Sequence, residues 1–172
     1  AVDTTQGTAN NRVKIHLNGS QVTDFTTSYE TYPAENNELS VNSASAHYLG
    51  KRSYGSNYHD GYLAEVNFID GQALTPSDFG EFGDYGEWKP IQYTGTYGTN
   101  GFYLDFKTAG TGTTGAGKDV SGEGNHWSSS GIASTDQMID TPTNNFCTWN
   151  PLDKLGTPTL SEGNLKASNA IN

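Results

Sequence analysis

At 172 residues the chain is long enough for one well-buried core and part of a second, yet only 33% of it is hydrophobic, against 21 Gly and 10 Tyr. Nine Lys and Arg against nineteen Asp and Glu leave a formal charge of −10, which argues against a broad basic face for nucleic acid. No apolar run approaches the roughly 18 residues of a membrane span, no basic amphipathic helix is present, and the Gly-, Thr-, Ser- and Asn-rich composition selects an all-β chain of short strands and many turns.

Ala1-Val2-Asp3 read as a strand entered partway, with no initiating Met and no signal peptide, so the chain is expected to be a piece of something longer. The first clear element is a hairpin, Arg12–Leu17 followed by Asn18–Val22. Val13, Ile15 and Leu17 alternate with Arg12, Lys14 and His16, and Asn18-Gly19 supplies the positive φ angles of a type I′ turn. Asn18-Gly19-Ser20 is a formal glycosylation sequon as well, although the hairpin tip explains it fully. A polar loop over Thr26–Asn37 precedes two short predicted strands, Glu38–Val41 and Ala46–Gly50. Then comes Lys51–His59, a loop rich in Tyr, whose flat ring and hydroxyl suit sugars and protein partners alike.

His59-Asp60-Gly61 and Asp70-Gly71 bracket a strand over Tyr62–Ile69, in which Tyr62, Ala64, Val66 and Phe68 form a continuous apolar or aromatic face. Pro76–Phe79 reads as a turn of helix, Glu81–Pro90 as an acidic aromatic loop, and Ile91–Tyr93 and Gly101–Phe106 as strands, the latter with Phe102, Leu104 and Phe106 on one face. Lys107–Gly117 is nearly all Thr, Gly and Ala and is expected to be a flexible loop. Asp140–Phe146 is a Pro-punctuated linker between a first domain, 1–139, and the start of a second at 147–172. A lone cysteine, Cys147, makes an internal disulfide impossible. It is read as a small buried residue, with an intermolecular bridge as the alternative. The lack of disulfides favours a microbial or viral product assembled in a reducing cytoplasm.

Chemistry concentrates in Asp119-Val120-Ser121-Gly122-Glu123-Gly124-Asn125-His126-Trp127. Oxygen-bearing side chains fall on alternate positions with glycines between them, a pattern that hard cations such as calcium favour. Asp119 and Asn125 are the expected ligands. The competing reading is a Gly-rich turn capped by Asx hydrogen bonds. It is no EF-hand, since Ser130 stands where the twelfth-position carboxylate belongs.

Several of these segments carry a resemblance. Asp60-Gly61-Tyr62 through Glu65-Val66, followed by Leu74-Thr75-Pro76-Ser77-Asp78, resembles the closing strand and turn of concanavalin A-like, laminin-G-like jelly rolls. Leu17-Asn18-Gly19 and His47-Tyr48-Leu49-Gly50 are similar to other strands of that family, and the Asp119–Asn125 run to its calcium-associated loop. The stretch from Asp60 to Asn172, with Thr141-Pro142-Thr143-Asn144-Asn145-Phe146, resembles an arrangement in tail and fibre proteins of marine bacteriophages, where a laminin-G-like sandwich leads into a SPRY-like one. The resemblance implies an antiparallel β-sandwich, incomplete at its N-terminus, in a virion or extracellular protein. Its partners would be host-surface glycan or sibling virion proteins, and it would form homo-oligomers.

Catalysis is not expected. Retaining glucanases of this fold place two carboxylates about 5 Å apart on one strand through Glu-x-Asp-x-(x)-Glu. Here the strand reads Glu65-Val66-Asn67-Phe68-Ile69-Asp70, without the central Asp and the second Glu. The four histidines, His16, His47, His59 and His126, show no zinc spacing, and neither a phosphate loop nor a nucleophile elbow occurs. The sequence therefore predicts a non-catalytic module that binds carbohydrate through Tyr54, Tyr58, Tyr85, Trp88 and Trp127. The alternative is an assembly or decoration protein whose aromatics pack against other chains.

Overall fold

The computed structural model describes residues 1–26, 30–133, 136–137, 149, 158–161 and 166–168. Among them the strands are β1 (His16–Leu17), β2 (Ser20–Gln21), β3 (Val66–Phe68), β4 (Gly80–Phe82), β5 (Trp88–Pro90), β6 (Phe102–Leu104), β7 (Thr159–Ser161) and β8 (Lys166–Ser168). The described residues contain no α-helix. All four ladders are antiparallel pairs, β1–β2, β3–β6, β4–β5 and β7–β8, so the described residues are compatible with an all-β chain, in strands of two or three residues. It divides into two units, Ala1–Tyr62 with Ile69–Thr96, and Leu63–Phe68 with Tyr97–Asn172. The expected linker at 140–146 and Cys147 lie outside the described residues.

The first unit opens on a buried arginine. Arg12 Nε donates to the Gln6 carbonyl at 2.7 Å, Nη1 to Pro33 at 2.9 Å and Nη2 to Gly7 at 3.0 Å, and the Glu35 carboxylate lies 3.6 Å from Nη2. The alternation that set Arg12 opposite an apolar face thus misses where it goes. Three of its donors find turn carbonyls and a carboxylate stands beside them, which is what permits a guanidinium to be 9% exposed. Beside it, hydrogen bonds from the Thr5 hydroxyl, Gln6 and the Thr5 N–H hold the Asp3 carboxyl below its ordinary value.

The hairpin predicted over 12–22 forms. β1 pairs with β2 through His16↔Gln21 and Leu17↔Ser20, and Asn18 and Gly19 take φ angles of 48° and 79°, as the tight turn requires. Its apolar side chains, however, face solvent, Ile15 at 53% and Leu17 at 68% exposure. The strands expected at 38–41 and 46–50 do not form. There the Ser40 carbonyl receives the Ser43 hydroxyl at 2.7 Å, and the carbonyls of Ser40 and Ser45 both meet ring nitrogens of His47, at 3.0 and 2.7 Å. Side chains of this kind compete with a ladder for backbone groups, and here they win. The turn at Pro76–Asp78 forms as expected, closed by Thr75, whose N–H and hydroxyl both donate to Asp78 at 2.9 Å. Glu81–Pro90, read as a loop, is instead the β4–β5 hairpin, with Gly80↔Pro90, Glu81↔Lys89 and Phe82↔Trp88 in register. Its turn is tied by Gly83 N–H to Glu87 O at 2.8 Å and Gly86 N–H to Gly83 O at 3.0 Å. Ile91–Tyr93 forms no strand; Ile91 N–H donates to Phe79 O at 3.0 Å, and Tyr93 stacks on Phe79 with centroids 5.2 Å apart.

In the second unit β3 pairs with β6 through Val66↔Leu104, Asn67↔Tyr103 and Phe68↔Phe102. The strand expected over 62–69 is cut short because Glu65 sits at φ 51°, and β6 stops before Phe106 at φ 55°. Both are left-handed conformations that side chains of this size seldom adopt. The core gathers on this pair: Leu104 is 2% exposed, Phe102 and Tyr97 7%, Ala116 3%. Phe68 stacks on Phe102 at 5.4 Å, and Trp127 meets Phe102 edge-on at 4.9 Å.

Lys107–Gly117 is a stitched turn rather than a loose loop. Gly110 N–H donates to Gln137 Oε1 at 2.9 Å, Gly112 N–H to Ser129 Oγ at 2.6 Å, and Ala116 N–H to Gly110 O at 3.0 Å. Small residues matter here because backbones touch: a Cβ on Gly117 would stand 1.8 Å from the Trp127 carbonyl oxygen. A Gly- and Thr-rich composition describes close packing as well as it describes looseness.

Candidate functional site

The Tyr-rich loop of the first unit is pinned at its base. Lys51 and Tyr58 form an antiparallel bridge, Arg52 N–H donates to Asn57 O at 3.1 Å, and His59 N–H to Gly50 O at 2.8 Å. This holds Tyr54 and Tyr58 out at 65% and 66% exposure. Cations lie over the rings. The Arg52 guanidinium is 3.8 Å from the Tyr54 centroid, and Lys51 Nζ is 5.1 Å from that of Tyr48 and 5.8 Å from that of Tyr58. At these distances each ring attracts the charge above it and loses some of its freedom to turn.

The β4–β5 hairpin places the next two candidates. Tyr85 stands at its tip, almost wholly exposed, with its N–H donating to Glu87 Oε2 at 3.1 Å. The Glu87 carboxylate also holds Lys89 Nζ at 2.9 Å; that hydrogen bond lowers the Glu87 pKa and raises that of Lys89. Trp88 is half-buried and meets Phe82 edge-on at 5.1 Å. Its indole rests on two glycines: a Cβ on Gly19 would lie 2.3 Å from the six-membered ring, and one on Gly80 would lie 2.3 Å from Cζ2. An open hollow of about 530 Å³ adjoins it, with Phe82, Ile91 and Pro76 as apolar walls and Ser77 and Glu81 as polar groups. It is a shallow surface depression rather than an enclosed pocket.

Trp127, Asp119 and Asn125 belong to the second unit. Trp127 is half-buried, its ring edge-on to Phe102 and its backbone N–H bonded to Gly117 O at 2.7 Å, so the ring serves packing. Asp119 is 5% exposed. Oδ1 accepts from the backbone of Tyr103 and Ser121, both at 2.9 Å, and Oδ2 from Asn125 at 2.8 Å. Burial pushes its carboxyl up, but the N–H groups of Tyr103, Ser121 and Asn125 and the Ser121 hydroxyl outweigh burial and hold it below its ordinary value. The Asn125 side-chain amide donates to the carbonyls of Thr99 at 2.9 Å and Gly101 at 2.8 Å.

Calcium asks for six to eight oxygens aimed at one point. In this loop the Asp119 oxygens and two nearby carbonyls already face N–H donors, and no group of three His, Cys, Asp or Glu converges among the described residues. These bonds are those of an Asx-capped turn. On β6, burial together with the charges of Glu65 and Asp105 pushes the Tyr103 phenol up to about 12, so it stays protonated at neutral pH.

The tyrosines at 54, 58 and 85 are therefore presented to solvent, whereas Trp88 and Trp127 are packed. Sequence reasoning passed over Lys51 and Arg52, although adjacent cations beside four tyrosines in an acidic chain were visible in it. It had no signal for Gly19 and Gly80 as the bed of Trp88. No family model, curated protein or solved structure matches this chain.

Proposed function

We propose that the chain is a non-catalytic recognition module of a virion or cell-surface protein, its strand pairs parts of a concanavalin A-like, laminin-G-like sandwich, and that it binds host-surface carbohydrate through Tyr54 and Tyr58. The observation that carries this reading is the pinned loop, which keeps two flat amphipathic rings exposed on a backbone tied at Lys51–Tyr58. Such rings stack on the apolar faces of sugars while their hydroxyls meet the sugar hydroxyls. Tyr85 and the hollow beside Trp88 form a second surface for the same purpose.

The test is a glycan-array screen of the whole protein with and without a chelator. Saturable binding that falls at least about tenfold in Tyr54→Ala or Tyr58→Ala supports the reading. Sensitivity to chelation would bring calcium back to Asp119 and Asn125. Binding that survives both substitutions places the ligand elsewhere.

A specific observation favours a second reading, a structural assembly piece. Among the described residues of the first unit no hydrophobic side chain is buried, and Ile15, Leu17 and Phe82 are each more than half exposed. Apolar groups left so open are what subunit interfaces cover.

A further inference from the structure

Resting on the carbohydrate reading, we infer that the Lys51–Tyr58 loop selects saccharides bearing a carboxylate, with Arg52 as the group that recognises it. The chain has two described arginines in opposite states. Arg12 is buried and its guanidinium meets three carbonyls and Glu35. Arg52 is exposed, and among the described residues its guanidinium has neither a hydrogen-bond acceptor nor a carboxylate within reach; it has a ring, Tyr54, at 3.8 Å.

Stacking on an aromatic face engages the plane of a guanidinium and leaves its edge of N–H donors open. That edge matches the two oxygens of a carboxylate in a bidentate pair. Lys51, the preceding residue, holds its Nζ near the rings of Tyr48 and Tyr58 and, among the described residues, has no ion-pair partner. Lys89, by contrast, is held by Glu87. In a protein of formal charge −10, two adjacent unpaired cations are a local exception to a field that repels anions. An acidic sugar brings both halves of the match, a ring face for the tyrosines and a carboxylate for the cations. Nucleic acid would bring many phosphates against the same acidic remainder and gain little from two cations.

The probe is a galacturonic acid hexamer, with its fully methyl-esterified form as the neutral counterpart, titrated calorimetrically into the whole protein. The acid is expected to bind at least about tenfold tighter than the ester, and the difference should shrink as salt rises. Arg52→Gln should abolish the preference while leaving the weaker binding of the ester. Arg52→Lys should restore it only in part, because the charge returns without the fork.

Equal affinity for acid and ester, or a preference that survives the double variant Lys51→Gln, Arg52→Gln, overturns the assignment yet leaves carbohydrate binding standing. A single-stranded oligonucleotide bound as tightly as the hexamer also overturns it. If neither saccharide binds and the glycan array is silent, the carbohydrate reading fails and this inference with it.

Discussion

Two polar side chains, Arg12 and Asp119, do for this chain what larger proteins leave to apolar bulk. Arg12→Lys keeps the charge but strands carbonyls of Gln6, Gly7 or Pro33, and should cost about 1–3 kcal/mol in urea unfolding. Glu35→Gln, removing only the half-exposed partner, should cost less than about 1 kcal/mol. Asp119→Asn replaces an acceptor-only group by one carrying donors that face the N–H groups of Tyr103, Ser121 and Asn125. A loss of about 1–3 kcal/mol is expected at pH 7.

The pH dependence of Asp119 has a definite sign. Its folded-state pKa lies below the ordinary value, so on acidification the unfolded chain takes up this proton first. The contribution is fully present above an unfolded value of about 3.9 and is lost as pH falls through the lower folded value. The stability difference between wild type and Asp119→Asn should therefore narrow as pH falls from 7 to 3. A difference that stays unchanged over that range would show that the carboxylate's charge is not what the loop uses.

At the scale of elements, what could be read from the sequence depended on how local the cause was. Asn18-Gly19 fixes its turn through its own backbone preferences, and Thr75-Pro76-Ser77-Asp78 closes on itself, so both were legible. The β4–β5 hairpin was missed because its strands are three residues each and contain Gly80 and Pro90, although Gly83-Asp84-Tyr85-Gly86 between two aromatics was a turn signal. Glu65 and Phe106 cut their strands short against their own preferences, a choice made by the surrounding fold. The exposed tyrosines of the candidate site were readable from composition. The packing of Trp88 was not, because it depends on glycines 69 and 8 residues away in the chain.

Those glycines give a prediction that separates sterics from backbone strain. Gly80→Ala puts a methyl group into the indole and should cost about 1–3 kcal/mol, with a change in Trp fluorescence or near-ultraviolet dichroism. Gly86→Ala, at φ 79° in open space, should cost about 1–2 kcal/mol with the Trp signal unchanged. Identical spectra for the two variants would mean that the indole does not rest on Gly80.

For the whole molecule the decisive fact is where burial occurs. Among the described residues the buried hydrophobic ones, Tyr97, Phe102, Leu104 and Ala116, all belong to the second unit. The first is held by backbone bonds and Arg12, a weak basis for independent stability. If sibling chains cover Ile15 and Leu17, the melting temperature should rise with protein concentration across about 1–100 μM, and Leu17→Lys should abolish the rise. In a monomer that exposed substitution should change stability by less than about 0.5 kcal/mol, and sedimentation would show a single species at every concentration.

The contrast between Arg12 and Arg52 also decides where a protease can enter. Trypsin must draw the whole basic side chain into its own specificity pocket, together with the extended backbone around it. Arg12, anchored by three carbonyls, is closed to it in the folded protein, while Lys51 and Arg52 offer two adjacent cleavage points on one exposed loop. Cleavage at either needs the Lys51–Tyr58 base to open first, so a ligand seated on the loop should delay it, and the chain carries its own footprinting assay for whatever it binds.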